Sequence, residues 1–437
     1  MSAKSIFKTL NSVLDQEVSL VCRDQKNWVS DPHSDFSRKR SGLSFDTVLR
    51  SVYHFCEVPI SSMMPQLVPL TADSSTLPWD TALCAARKKI NPEAYIEIFN
   101  RFNEKTRRDS LFNGYHVFAV DGSEQGVYGS SSTKHMKSHS KNGSERMFVH
   151  INALYDVLEN TFQDAIIQPG AFRNEDEALL ELAASMPVDL LSSSVLTADR
   201  GYESLILFYR LIRLGARFCI RIKDIDSYNS LLKGFGFPED EEFDSWFSFI
   251  LSSSPTEREQ NPFRYKYLWN YKNISEFSSS RFLDLNIRIV RFPLEKADGS
   301  VTWECLATNL SEEEFTAQDL KELYRLRWNE ESSFNHLKHH LSIGRLRSRT
   351  LGGIEQEVFA KMTLQNLASR VRNILENKKK GKKHSHRISL SNVIHQVRRY
   401  LFNNSLPERF DIDSFISRET AAVIPGRPDT RTKYKRR

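Results

Sequence analysis

The stretch from Tyr115 to Lys223 restricts the fold more than any other part of the chain, because its apolar pattern switches repeatedly between strand and helix periods. "YHVFAVDGS" is an apolar run ended by Asp121-Gly122, and "RMFVHINALYDVL" and "TFQDAIIQPG" follow as two further strands. "EDEALLELAASM" is amphipathic at helical spacing. "SSVLTADRGY" then reads as a strand ending at Asp199, "ESLILFYRLIRLG" as a helix stopped by Gly215, and "ARFCIRIK" as a fifth strand. The order is βββαβαβ. Consecutive strands run antiparallel, while strands separated by helices run parallel, so this order predicts a mixed sheet covered by helices. The expected fold class is α/β.

On either side the texture differs. "FDTVLRSVYHFC", "TALCAARKKI" and "NPEAYIEIFNRFNEKT" make 1–110 a helical N-terminal domain. Its "RKR" at 38–40 and "RKK" at 87–89 suit either a DNA contact or plain helical support. Residues 111–225 form the first part of the mixed-sheet core. From 226 to 305 an acidic stretch, "FPEDEEFDSW", precedes the strand-like "FRYKYLWNYK", "LNIRIVRFPL" and "VTWECLATNL", which read as a β-rich insertion. Residues 306–376 return to the core with two helices, the first opened by Thr316 and Asp319 in capping-box spacing. Residues 377–437 form a basic C-terminal region with an amphipathic helix near 388–403.

Charge is distributed unevenly. The last 61 residues carry sixteen Lys and Arg against five Asp and Glu, a net +11 that leaves −5 on the 376 before them. The runs "KKKGKKHSHR" and "RTKYKRR" attract polyanions by counterion release, nucleic acid being the obvious partner, with a merely solvated tail as the alternative. No apolar run approaches the roughly 18 residues that span a bilayer. The first residues also lack a signal-peptide apolar core, so a cytoplasmic protein is expected. Five cysteines without a CxxC pair read as reduced thiols, which argues against a zinc ribbon.

"YRLRWNEESSFNHLK" at 324–338 carries the most unusual helix pattern. At about 100° per residue, Tyr324, Arg327, Glu331 and Lys338 share an arc about 60° wide over roughly 21 Å of axis. Leu323, Leu326, Phe334, Leu337 and Leu341 occupy the adjoining arc, with Glu330 unexpectedly among them. A solvated face would also accommodate such a stripe. His336 and His340 have the i,i+4 spacing of a helical zinc site, yet HExxH is absent and the pair points about 120–160° from Tyr324, away from Glu331.

Asp121 and Asp199 each end an apolar strand, where a charge must be paired, capped or bound to metal. With Glu331 they make a hard, oxygen-rich set suited to Mg²⁺ and to phosphodiester chemistry. At this point "AVDGS", "LTADRGY" and the Tyr324, Arg327, Glu331, Lys338 spacing resemble the DDE transposases of bacterial insertion sequences, specifically insertion-sequence family four. The resemblance covers about 115–370 and implies a ribonuclease-H-like catalytic core. It implies that Asp121, Asp199 and Glu331 hold two Mg²⁺ ions, for which Mn²⁺ substitutes. It also implies that Tyr324, Arg327 and Lys338 grip the transposon end, with Arg200 and Tyr202 as further DNA contacts. The implied partners are terminal inverted repeats, target DNA and a second copy in the DNA complex, with a nucleoid-associated location and no membrane. The implied activity is cut-and-paste transposition. Two alternatives stay open: a ribonuclease-H-like nuclease or resolvase, and a transposase-derived DNA-binding protein that no longer cuts.

Overall fold

The computed structural model describes residues 5–37, 43–55, 59–67, 78–127, 136–139, 145–233 apart from 226 and 229, 241–262, 264–268, 275–278, 280–295, 299–327, 346–377, 386–402 and 410–422. The chain divides into two compact units, Met1–Thr106 with Ala360–Arg437, and Arg107–Phe359.

The first unit is helical. α1 (Ile6–Arg23) repeats Leu10, Leu14, Val18 and Val21 on its buried face, and Ser5 caps it by accepting from Lys8 N. α2 (Phe45–Tyr53), α3 (Ile60–Leu67), α4 (Asp80–Arg87) and α5 (Glu93–Thr106) complete the N-terminal part. Glu17 of α1, fully buried, is neutralised by Lys105 of α5. The later part of the helix Leu351–Asn377 belongs here too. It is buried all round, with Asn366 Nδ2 donating to Asn103 Oδ1 at 2.7 Å.

The described parts of the C-terminal region, 386–402 and 410–422, pack within this unit. Helix Leu390–Tyr400 buries Val393, Ile394 and Val397, and helix Ile412–Arg418 buries Ile412 and Ile416. Asp413 accepts from Ile6 N at 2.6 Å, Phe7 N at 3.0 Å and Ser5 Oγ at 3.0 Å, so a residue 408 positions away satisfies the start of α1. His386–Ile388 pairs antiparallel with Thr420–Ala422 to close the segment into a loop.

The second unit is a mixed sheet with helices. Its strands are β1 (His116–Gly126), β2 (Lys137–His139), β3 (Glu145–Asp156) and β4 (Thr161–Pro169). α6 (Glu175–Ser185), α7 (Val188–Ser192), β5 (Ser194–Ala198), α8 (Leu205–Arg213) and β6 (Arg217–Ile222) follow. β1 lies between β3, antiparallel, and β5, parallel, and β6 runs parallel to β5. The expected order and sense of these strands are therefore present, with a short extra strand, β2. Gly215 ends α8 at φ +79, a left-handed turn that a side chain would oppose.

The strands of 226–305 extend this sheet instead of making a separate one. β7 (Phe243–Ser252), α9 (Pro255–Gln260), β8 (Tyr265–Tyr267), β9 (Phe282–Glu295) and β10 (Val301–Thr308) follow in sequence. β10 pairs with β6, β9 with β10, and β7 with β9, giving ten strands among the described residues. Strand β7 is hidden in the sequence because the acidic run before it masks "FDSWFSFILS". Arg288, 0% exposed on β9, fastens the extension: it pairs with Asp244 at 2.5 Å and donates to Phe315 O at 2.7 Å. Four hydrogen-bond acceptors around one guanidinium are what allow it to be buried. α10 (Ala317–Leu326) starts with a capping box, Thr316 Oγ1 accepting from Asp319 N and Asp319 Oδ2 from Thr316 N.

One apolar core fills the face carrying α6 and α8, with Phe118, Val120, Leu154, Leu196, Ala198, Leu179, Leu182, Phe208 and Leu211. No helix among the described residues is long and apolar enough to cross a membrane. Cys22, Cys84, Cys219 and Cys305 are free thiols.

Candidate active site

Asp121 is not at the end of its strand, as its Asp-Gly sequence suggests. β1 runs five residues further, paired with β3 from Gly122↔Asn152 to Gly126↔Phe148. What ends at this level is the parallel partner: Val120↔Ala198 is the last β1–β5 pair, and Asp199 is the residue after Ala198. Asp121 and Asp199 thus emerge side by side where β5 stops. Neighbouring strands lie about 4.8 Å apart.

Alternation settles which face they share. Phe118, Val120, Leu196 and Ala198 all point into the α6–α8 core, so Asp121 and Asp199, one residue on in extended backbone, belong to the opposite face. Both carboxylates are half-buried. Asp121 Oδ1 accepts from Gly122 N at 2.9 Å and Asp199 Oδ1 from Gly201 N at 2.7 Å. The second contact caps the short turn Arg200–Tyr202.

Within that turn Arg200 is exposed, whereas Tyr202 is 1% exposed and sits in the apolar core. The Tyr202 ring is occupied by packing, while the Arg200 side chain is open to solvent. Tyr324 and Arg327 are also buried, at 2% and 4% exposure. The Arg327 guanidinium lies 5.4 Å from the centre of the Tyr324 ring. Burial pushes the Tyr324 phenol well above its usual range, with Arg327 opposing the shift. Close by, burial raises the Glu304 carboxyl, and Arg221, Arg327 and Lys321 pull it back. In this arrangement neither Tyr324 nor Arg327 presents a surface to a DNA backbone. The helical stripe is described only as far as Leu326, with Arg327 in the cap position. Glu331 and Lys338, with Glu330, His336 and His340, lie outside the described residues.

Two residues that the sequence reading passed over adjoin the aspartates. His150 on β3 is 3% exposed, its Nε2 2.9 Å from Glu175 Oε1 in the first turn of α6. The imidazole holds the Glu175 carboxyl below the usual carboxylate range. The only sequence signal was the acidic run Glu175, Asp176, Glu177 after Asn174, which reads simply as an N-terminal turn favoured by the helix dipole.

Two half-buried carboxylates side by side form a hard donor set, which fits a divalent cation of the Mg²⁺ type better than a softer metal. Among the described residues no group of three or more His, Cys, Asp or Glu is arranged to hold a metal.

The chain is similar over 98% of its length, at 9% identity and a TM-score of 0.42, to 85% of a chain in the cryo-EM structure of the piggyBac transposase synaptic complex with hairpin DNA. A likeness at that level carries no weight on function. No curated protein matches the chain. Residues 113–367, well over half of the sequence and spanning both aspartates and 324–338, match the family described as the transposase DDE domain, and the chain belongs to that family.

Proposed function

We propose that this transposase cuts DNA at the ends of an insertion sequence and joins them to a target by metal-dependent phosphodiester chemistry on a ribonuclease-H-like core. The observation that carries this reading is the Val120↔Ala198 register, which brings Asp121 and Asp199 to one face at the level where β5 stops. Two carboxylates contributed by adjacent parallel strands are held by backbone, not by flexible loops, so their spacing is reproducible.

Asp121, Asp199 and Glu331 would hold two Mg²⁺ ions, or Mn²⁺ in their place. When bound, such ions lower the pKa of water or of a DNA 3′-hydroxyl and stabilise the leaving oxygen. The residues of the chain do the rest. The Gly122 and Gly201 N–H groups orient the two aspartates. Arg200 and Lys338 bind phosphates and fix the strand in register. Tyr324 and Arg327, buried here, would have to become exposed to grip the transposon end. A second copy joins in the DNA complex, since two ends must be cut in concert. The N-terminal helical part and the basic segments at 378–387 and 431–437 add non-specific affinity.

Incubating the protein with Mg²⁺ and a DNA fragment carrying its gene's own flanking ends, then mapping cuts on each strand, tests the reading. Cuts at short inverted repeats, lost on chelation and restored by Mg²⁺ or Mn²⁺, are expected. Binding without any cut favours a transposase-derived binding protein, and cutting without joining a target favours a nuclease or resolvase.

A further inference from the structure

We propose that His150 and Glu175 are positioning residues: a brace on the back of the sheet that sets the Asp121-Gly122 and Asp199-Gly201 segments relative to each other. The proposal rests on the reading of Asp121 and Asp199 as the metal-holding pair.

The geometry starts from the two glycines. Gly122 N–H and Gly201 N–H are the groups that hold Asp121 Oδ1 and Asp199 Oδ1. A Cβ at Gly122 would overlap His150 Nε2 and stand 3.1 Å from Glu175 Oε1. A Cβ at Gly201 would meet Asp199 Oδ1 first, at 2.8 Å, with Glu175 Oε2 in ordinary contact at 3.8 Å. One carboxylate therefore spans the residues that donate to both aspartates, one oxygen toward each. His150 closes the arrangement by packing on Gly122 and facing Glu175 at 2.9 Å. At Gly122 a side chain would force His150 to move, which gives the Gly of Asp-Gly-Ser a packing role.

The brace is itself anchored. Asn174 N donates to Gln168 Oε1 at 2.9 Å and Gln168 Nε2 returns to Asn174 O at 3.1 Å, tying the start of α6 to β4. Asn152 Nδ2 reaches the same Gln168 Oε1 at 3.3 Å from β3. Glu177 binds Arg210 of α8 at 2.7 Å. The first turn of α6 is thereby fixed against β3, β4 and α8, so Glu175 enters from a rigid base. Burying an imidazole beside a carboxylate is costly where an aliphatic pair would fill the space. What the polar pair adds is a close electrostatic approach, His150 Nε2 to Glu175 Oε1 at 2.9 Å, which an aliphatic pair would lack.

Full-length variants Glu175→Ala, Glu175→Gln, His150→Ala, Gly122→Ala and Gly122→Ala with His150→Ala test this. Mn²⁺ binding by calorimetry, thermal midpoint and end binding by gel shift are measured for each. Glu175→Ala and His150→Ala should weaken Mn²⁺ binding by about 10-fold or more with end binding retained, as for residues that orient metal ligands. Glu175→Gln, which keeps shape and an acceptor, should recover most of the loss. Gly122→Ala should be at least as impaired as His150→Ala, and the double variant no worse than His150→Ala alone, because the clash has gone. The Glu175→Gln and double variants retain the test if a single truncation unfolds. Unchanged Mn²⁺ affinity in folded Glu175→Ala and His150→Ala, or additive losses in the double variant, overturns the brace alone. No Mn²⁺ binding by the wild type overturns the reading of the aspartates and the brace with it.

Discussion

Asp121 and Asp199 stand one position beyond Val120 and Ala198, the last pair of the parallel β1–β5 ladder, so two residues 78 apart in sequence share one face at one level of the sheet. Substituting either by asparagine keeps an oxygen for the Gly122 or Gly201 N–H while removing the charge. Asp121→Asn and Asp199→Asn should therefore lower end cutting by orders of magnitude. End binding and the thermal midpoint should stay close to wild type. A variant that cuts normally, measured by strand mapping, removes its residue from the proposed site.

The third acid is expected at Glu331 and not at its neighbour. On helical spacing Glu331 lies in the arc of Tyr324 and Lys338, while Glu330 points about 100° away among leucines. Glu331→Gln should abolish cutting and spare binding, and Glu330→Gln should shift stability more than chemistry. Lys338→Ala should weaken the gel shift and keep some cutting at high protein concentration. Normal cutting by Glu331→Gln together with a dead Glu330→Gln would reverse the assignment.

The basic C-terminal region mixes structure and charge, and the two can be separated. Asp413 caps α1, so Asp413→Ala should destabilise by about 1 kcal/mol without changing the salt dependence of DNA binding. Deleting 423–437 and neutralising the lysines at 378–383 should instead flatten that dependence with the midpoint preserved. Removing the whole of 378–437 would confound both effects. An unchanged slope in the folded, neutralised protein shows that these charges do not touch DNA.

His54 gives the first unit an acid limit. Burial first, then the Arg398 and Arg50 charges, lower its pKa from 6.5 to about 4. The unfolded chain then binds the proton more readily than the folded one. The stability that the neutral ring contributes is complete above about pH 6.5 and is lost as pH falls toward about 4. His54→Gln should make denaturant stability less steep in pH across that window. An identical slope in the variant means that other groups set the limit.

The sequence by itself determined what depends on neighbours along the chain. Periodicity marked β1, β3, β4, α6, β5, α8 and β6, Gly215 ended α8, and Thr316 with Asp319 opened α10. It also singled out both aspartates, because a charge after an apolar run is conspicuous locally. Tertiary structure decided everything set by pairing across long separations. Whether β1 stops at Asp121 or runs to Gly126 depends on β3 continuing beside it while β5 does not. Whether 226–305 closes on itself or joins the sheet depends on the open edge of β6, which β10 takes. A helical wheel assigns angles but not burial, so only the fold could show Tyr324 and Arg327 enclosed near Glu304, and Tyr202 in the core. His150 and Glu175 are ordinary in sequence; the contact between β3 and α6 brings them together behind the two glycines.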